Sequence, residues 1–397
     1  MRNDRLLNFS DPKEKDMRDV QDETQARTNR RSFIRKGIVT AAGATVGAGL
    51  LTDISPAIAK DGGLNKGDAA ILRFLSALEQ IEQDLWLQYA ELGGVQTTPS
   101  ELPGLPTGGS PAYTAALNNL DADMSQYIHD NTEDEFSHHA FINAFLAARG
   151  ADMVDLSQFA TLLGSQADGA NKSKRRITNL MQLTVDTSFW TRYRSPTKNP
   201  DLDPNFVFPQ AVPSLHNGKF PGIPRTNADL SPQNHIQAIA NTAAFHFCYI
   251  EQGGSSLYPT LALGVTDKEV LRVLLSIGPT ETTHFQTWHD KAGNAVSTPL
   301  APLTDGALVF PNLNAPPFPF GFGLEDFQTN LIMPEPCPFL QQGFPAVSII
   351  RPTSIQQGGA VATIQGFTAD GLFIGQSSEF FGMLNDLAEQ ADKAAQH

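Results

Sequence analysis

The sequence predicts an all-α protein in which four long helices form two antiparallel hairpins joined by a long crossover. Three observations carry that prediction. Four segments repeat apolar residues at three- and four-residue steps, each behind a helix start signal. The connections are short within each pair of segments and long between the pairs. No alternating apolar and polar pattern competes with the helical one along these segments.

The chain opens with an address rather than with fold. A polar, charged stretch leads into Asn29-Arg30-Arg31-Ser32-Phe33-Ile34-Arg35, then an apolar run from Gly37 to Leu51, then Ala57-Ile58-Ala59. That is the order of a secretory signal with a small-residue cleavage site, and the paired arginines resemble the twin-arginine export motif. Residues 1–59 are therefore expected to be a signal peptide removed after Ala59, with the mature chain periplasmic or secreted. A run of about 15 residues rich in Gly, Ala and Thr is too short to span a bilayer, so no stable membrane insertion is expected once the signal is gone. The resemblance also implies export in the folded state, often with a cofactor already inserted.

The first helix is expected from about Ala69 to Leu92, with Ile71, Leu75, Leu78, Leu85 and Tyr89 on one stripe. Ser110-Pro111 opens the second as N-cap and first residue, and Gly150 closes it. Its stripe is Leu117, Leu120, Met124, Tyr127, Ile142 and Phe145. Ser231-Pro232 repeats the start signal for the third, with Ile236, Ala240, Ala243, Phe247, Tyr258 and Leu261 on its stripe. Thr266 with Glu269 three residues on reads as a capping box for the fourth, whose stripe is Val270, Leu274, Ile277 and Trp288. The bundle accordingly spans 65–295, and the crossover, about 151–230, carries Pro, Asn and Gly clusters expected to wrap the bundle as a loop. Residues 296–397 form an extension that is rich in Pro and Gly near Pro316-Pro317-Phe318-Pro319 and ends in a helix from Ser378 to Ala395. It reads as an arm packed on the bundle.

Composition narrows the function. A formal charge of -14 repels phosphate backbones, which argues against a nucleic-acid partner. Two cysteines, Cys248 and Cys337, allow one disulfide at most and exclude a cysteine-rich scaffold or zinc ribbon.

The chemistry lies where the apolar stripes are interrupted. The first helix places Glu82 between Leu78 and Leu85, and the second places Glu135 and His138 between Tyr127 and Ile142. The third places Glu251 between Phe247 and Tyr258, and the fourth places Glu281 and His284 between Ile277 and Trp288. All six point inward. Four buried carboxylates repel one another and each loses hydration worth several kcal/mol, so a cation is needed among them. Residues three apart share one helix face, so each Glu-x-x-His offers a carboxylate and an imidazole to one metal or to a pair. With 15 Glu and 9 His, roughly 0.3 accidental Glu-x-x-His matches are expected, whereas two occur, both on buried stripes. Oxygen donors with imidazole suit iron or manganese better than zinc or calcium.

These residues carry a family resemblance. Leu78-Glu79-Gln80-Ile81-Glu82, Asp134-Glu135-Phe136-Ser137-His138, Glu251-Gln252-Gly253-Gly254 to Tyr258 and Glu281-Thr282-Thr283-His284 resemble the exported ferritin-like proteins over residues 65–295, with a gap at the crossover. The resemblance implies a ferritin-like four-helix bundle holding two Fe or Mn ions on Glu82, Glu135, His138, Glu251, Glu281 and His284. Glu79 also matches a family glutamate, so the first helix has two candidates. Ile81-Glu82-Gln83 and Ile250-Glu251-Gln252, each with a tyrosine seven residues after the glutamate, suggest an internal duplication. Pro279 is expected to kink the fourth helix or start a new one. Gly253 and Gly254 are expected to make room for a close helix, a water path or the metal. Tyr89 and Tyr258 read as core tyrosines or as donors to ligands across the bundle, and His246 reads as structural.

Two functions follow from the resemblance. One is oxidoreductase chemistry on dioxygen, peroxide or Fe(II), of the ferroxidase, peroxidase or catalase type. The other is a non-catalytic metal-binding or stress-protection protein. The expected partners are a small-molecule oxidant or a metal ion, and a homo-oligomer is compatible with either reading.

Overall fold

A computed structural model describes residues 63–95, 105, 109–193, 207–316, 343, 345 and 355–396. The expected signal peptide, Cys337 and the Pro-Phe cluster after Pro316 lie outside the described residues. The fold is mostly helical, as the periodicity predicts, and apart from Leu105 the described residues belong to one unit.

Helix α1, Lys66–Gly93, starts where Asn65 Oδ1 accepts the backbone N–H of Asp68. The buried Asp68 carboxylate in turn accepts from the backbone of Thr266 and Asp267, tying the start of α1 to the start of the fourth bundle helix. The single second helix expected from the sequence is instead two, α2, Pro111–Asn118, and α3, Met124–Ala148. The break falls on Asn118-Asn119-Leu120-Asp121-Ala122-Asp123, where the Asp121 carboxylate takes the backbone N–H of Asp123 and closes a local turn that competes with the helix. Crossover elements follow: a short antiparallel pair, β1, Leu162–Leu163, with β2, Arg175–Arg176, and two short helices, α4, Ser188–Arg192, and α5, Pro213–His216.

Helix α6, Gln233–Ala262, begins one residue later than predicted, with Pro232 at the cap position. Helix α7, Lys268–Asn294, is capped by Asp267 rather than Thr266: the Asp267 carboxylate accepts from the backbone of Glu269 and Val270, while the Thr266 hydroxyl donates to Asp68. The helix runs through Pro279 without restarting. Pro279 removes one N–H that would have bonded the carbonyl of Leu275, and Leu275 is an exposed position where water can reach that carbonyl. A hairpin, β3, Leu303–Asp305, with β4, Leu308–Phe310, follows. The extension then adds α8, Ile355–Gly358, α9, Ala360–Asp370, and α10, Ser378–Ala395. Gly371, at φ 88°, ends α9 in the left-handed region that favours glycine.

The packing ranks the helices. Helix α1 packs along α3, and α6 along α7, so each hairpin is internally close. Helix α10 lies along α1, which explains why α1 is buried almost all round from Ile71 to Gly93 instead of keeping one wet face. Helix α6 is similarly enclosed, by α7, α2, the crossover and the extension. Helices α3 and α7 stay on the outside and meet each other over little of their length. Polar anchors hold the crossover to α1, among them a buried Arg176–Glu91 ion pair and the Asp84 carboxylate, which accepts from the backbone of Ile177 and Thr178 and from the Thr178 hydroxyl. No helix among the described residues is long and apolar enough to cross a membrane.

Candidate metal centre

Halfway along the bundle the four stripes stop being apolar together. Glu79 and Glu82 on α1, Glu135 and His138 on α3, Glu251 on α6 and Glu281 on α7 are all buried, and His284 on α7 keeps a side chain 11% exposed. Their donor atoms form two overlapping groups. Glu79, Glu135, His138 and Glu281 can each offer one atom within 4.8 Å of the others, and so can Glu135, Glu251, Glu281 and His284. Glu135 and Glu281 belong to both.

The distances give that overlap its shape. His138 Nδ1 lies 3.1 Å from Glu79 Oε2, 3.2 Å from Glu135 Oε2 and 3.3 Å from Glu281 Oε1. His284 Nδ1 lies 3.3 Å from Glu135 Oε1 and 3.3 Å from Glu251 Oε2. The two oxygens of Glu135 thus face different imidazoles, and the imidazole rings stack with centroids 6.5 Å apart. Glu82 sits beside both groups without entering either; its carboxylate is buried and feels the charges of Glu281, Glu79, Glu135 and Glu251.

An outer layer aims these side chains. Asp134 Oδ2 lies 3.0 Å from His284 Nε2 and takes its N–H, which leaves Nδ1 turned inward. Trp288 Nε1 donates to Asn131 Oδ1 at 2.7 Å; an indole N–H can only donate, so the Asn131 amide nitrogen faces the other way. That nitrogen donates to Glu135 Oε1 at 2.9 Å and to Glu251 Oε1 at 3.1 Å. The Tyr258 hydroxyl donates to Glu79, so of the two readings of this tyrosine the donor to the site is the one found. Gly254 also finds its reason: a Cβ there would stand 2.7 Å from Glu281 Oε2. Asp134 and Asn131 were not singled out as site residues from sequence. Asn131 carried a usable signal, since it lies one helical turn before Glu135 on the same face.

Five carboxylates against two imidazoles cannot all be ionised here, and the acid–base balance responds. Burial pushes Glu82 and Glu281 well above the usual carboxylate range, with repulsion from neighbouring glutamates adding to it. Burial raises Glu135 to about 7 against the opposing pull of His138. Burial also acts upward on Glu79, but attraction to His138 and hydrogen bonds from His138 and Tyr258 outweigh it and hold Glu79 low. Burial disfavours charge on both histidines, yet the carboxylates around them win: Glu79 and Glu135 raise His138, and Glu251 with Asp134 raises His284. At the adjacent His139 burial wins instead, lowering it to about 4 against the weaker pull of Glu79 and Asp155.

The donor set fits a cation. Both oxygens of Glu82 and Oε2 of Glu281 are buried without a hydrogen-bond partner, which buried polar atoms rarely tolerate, and Glu281 Oε1, Glu251 Oε2 and His284 Nδ1 have ion-pair contacts at 3.3 Å but no well-aligned hydrogen bond. On the far side of Tyr258 a cavity of about 220 Å³, lined by Tyr258, Pro259, Leu274, Leu275, Gly278, Pro279 and Thr282, opens between α6 and α7. A third group, His129, Asp130 and Glu133, lies toward the outer face of α3, where solvent rather than a bound ion can satisfy it.

A four-helix bundle with a buried carboxylate–imidazole centre defines the class of protein. The family model of the ferritin-like domain matches residues 67–293, and the chain belongs to that family. No curated protein and no solved structure matches it.

Proposed function

We propose that the chain is an exported dinuclear metalloprotein holding two iron or manganese ions and acting as an oxidoreductase on dioxygen, peroxide or Fe(II). The observation that carries the reading is the pair of overlapping donor groups sharing Glu135 and Glu281. Shared carboxylates let two cations sit side by side, and oxygen donors with imidazole suit iron or manganese. When bound, such a pair supplies two electrons to one oxidant molecule.

The residues divide the work. Glu135 and Glu281, common to both groups, would serve both ions, with Glu79 and His138 holding one and Glu251 and His284 the other. Asp134 fixes the His284 ring, Asn131 fixes Glu135 and Glu251, and Tyr258 fixes Glu79. Glu82, buried with no partner, is a ligand in reserve or a proton acceptor beside the pair. Glu82 and Glu281, held above the usual carboxylate range, would have to give up their protons to hold an ion. The arginine pair at Arg30 and Arg31 supports export to the periplasm or beyond.

A second reading is a non-catalytic metal-holding protein. The complete burial of Glu79, Glu135, Glu251 and Glu281 favours it, because a closed centre leaves little room for substrate. Elemental analysis of protein from its exporting host decides on the metal: two ions per chain support the dinuclear reading, and none overturns it. Turnover of peroxide or Fe(II) that disappears in Glu135→Ala supports the enzyme; full occupancy without turnover leaves the holder. Loss of export in R30K/R31K tests the address.

A further inference from the structure

Both helices of the second hairpin carry a proline in their interior, and both prolines line one cavity. Pro259 in α6 and Pro279 in α7 stand in the walls of the space of about 220 Å³ between these helices, with Tyr258, Leu274, Leu275 and Gly278. A proline inside a helix is costly, because it removes a backbone donor and its ring presses on the preceding turn. Here both costs fall at the same place. Gly278 sets how close the walls come: a Cβ there would stand 2.7 Å from Tyr258 Cβ, so the α7 backbone lies directly against Tyr258. Leu275, 59% exposed, marks the mouth, whereas Leu274 and Tyr258 are buried.

The walls are mainly apolar side chains, and the hydroxyls among them are already engaged. The Tyr258 hydroxyl donates to Glu79 in the metal centre, so its polar tip is committed there. The Thr282 hydroxyl lies 3.2 Å from the carbonyl of Gly278 and 3.2 Å from the Ser255 hydroxyl. A backbone acceptor is left over. The carbonyl of Leu275 would bond the N–H of residue 279 in an unbroken helix, and Pro279 has none. Residues four apart share one helix face, and Leu275 and Pro279 both line the cavity, so this carbonyl lies along the same wall. An acceptor without its donor, beside an apolar hollow, suits a ligand that is apolar except for one N–H or O–H.

Size narrows the ligand further. An apolar cavity of about 150 Å³ takes up benzene, and in that proportion this one holds a molecule of roughly nine heavy atoms. We propose that the space between α6 and α7 is a binding site for a small planar aromatic molecule of indole size, whose ring packs against Tyr258 and Leu274 and whose single N–H or O–H donates to the carbonyl of Leu275. Aromatic rings pack favourably on one another in offset or edge-on arrangements, which the Tyr258 wall offers. The site goes beyond the metal chemistry proposed above and does not depend on it, although Tyr258 links the two places through its bond to Glu79.

Ligand-observed nuclear magnetic resonance and titration calorimetry on the purified full chain test the site with three probes. Indole is expected to bind once per chain. Indene, which has the same shape without the N–H, should bind about fivefold more weakly, the worth of one hydrogen bond. Carbazole keeps the N–H but adds a third ring, and should not bind. These three arms use the unmutated chain and so do not rely on a variant to fold. Pro279→Ala returns an N–H to the Leu275 carbonyl and favours the helix, so the ratio of indole to indene affinity should fall from about five to about one. Leu275→Trp crowds the mouth from an exposed position and should weaken both probes about tenfold or more. Indole binding that is absent at about 1 mM, carbazole binding as tight as that of indole, or affinity unchanged in Leu275→Trp overturns the site. Equal affinity for indole and indene, or a ratio unchanged in Pro279→Ala, overturns the carbonyl as its polar contact.

Discussion

Gly254→Ala separates the metal centre from the fold better than removal of a ligand does. Gly254 lies on α6 three residues after Glu251, on the same face, and the added methyl carbon would stand 2.7 Å from Glu281 Oε2, 3.1 Å from its Cγ and 3.2 Å from its Cδ. Carbon and oxygen pack at roughly 3.5 Å, so the carboxylate must retreat by about 0.8 Å. Glu281 can do so by leaving its rotamer, at a cost of about 0.5–1.5 kcal/mol. Alanine in place of glycine inside a helix returns about 1 kcal/mol. The metal-free protein should therefore stay within about 1 kcal/mol of the parent in chemical denaturation. Metal affinity should not survive so well, because Glu281 serves both donor groups. Displacing the support of a ligand typically weakens binding about 10- to 100-fold, equivalent to about 1.4–2.7 kcal/mol. Titration calorimetry with Mn(II), beside urea melts in chelator, reads both quantities. Parental affinity and stoichiometry in Gly254→Ala would refute the placement of Glu281 at the metal. A loss of stability above about 3 kcal/mol would show instead that the methyl group meets something that cannot move.

Further outcomes follow from the same geometry. Glu251→Ala should keep one ion per chain and Glu135→Ala should keep neither, because only Glu135 faces both imidazoles; equal stoichiometry in the two variants, read by elemental analysis, would contradict the bridging role. Asp134→Asn should weaken metal binding about tenfold with little change in melting temperature, since it loosens the His284 ring alone. In metal-free protein, Glu82, Glu281, Glu135 (about 7), His138 and His284 all hold protons more tightly folded than unfolded, so stability should fall as pH rises from about 5 to about 8. Glu79 acts oppositely only below the ordinary carboxylate range, and His139, lowered to about 4 from 6.5, opposes the fall below about pH 6.5 as one group against five. Calorimetric melts that rise over that interval would contradict the charge balance. Arg176→Met leaves the buried Glu91 without its partner and should cost about 3–5 kcal/mol in denaturant titration while leaving metal stoichiometry unchanged.

The sequence made the bundle legible because helical periodicity and its interruptions are local signals. Leu78 and Leu85 around Glu82, or Ile277 and Trp288 around Glu281, need no knowledge of the partner helix to be read as one face. Where a side chain chooses between local and distant partners, the reading slipped by a residue. Thr266 could have capped α7, but its hydroxyl was taken by Asp68, 198 positions away, and Asp267 took the role. The break after Asn118 was written in the cluster of Asn and Asp that follows, yet the apolar stripe ran on through Leu120 and Met124 and masked it. Glu82 lies on the stripe and Glu79, one position off it, matches the family, so the pattern leaves two candidates; because α1 is enclosed almost all round, both prove to be buried at the centre. The meeting of His246 on α6 with Asp370 at the end of α9, 2.9 Å apart, was beyond reach: Asp370 belongs to a helix whose docking depends on tertiary packing alone, with no motif to announce it.

Helices α3 and α7 meet over little of their length, and His138 and His284, one on each, are the two site residues whose side chains keep some exposure, 9% and 11%. Burial that keeps protons on Glu82 and Glu281 lightens the negative charge of this interior, so on the proposed reading the two imidazoles would be the side from which an arriving ion trades places with those protons.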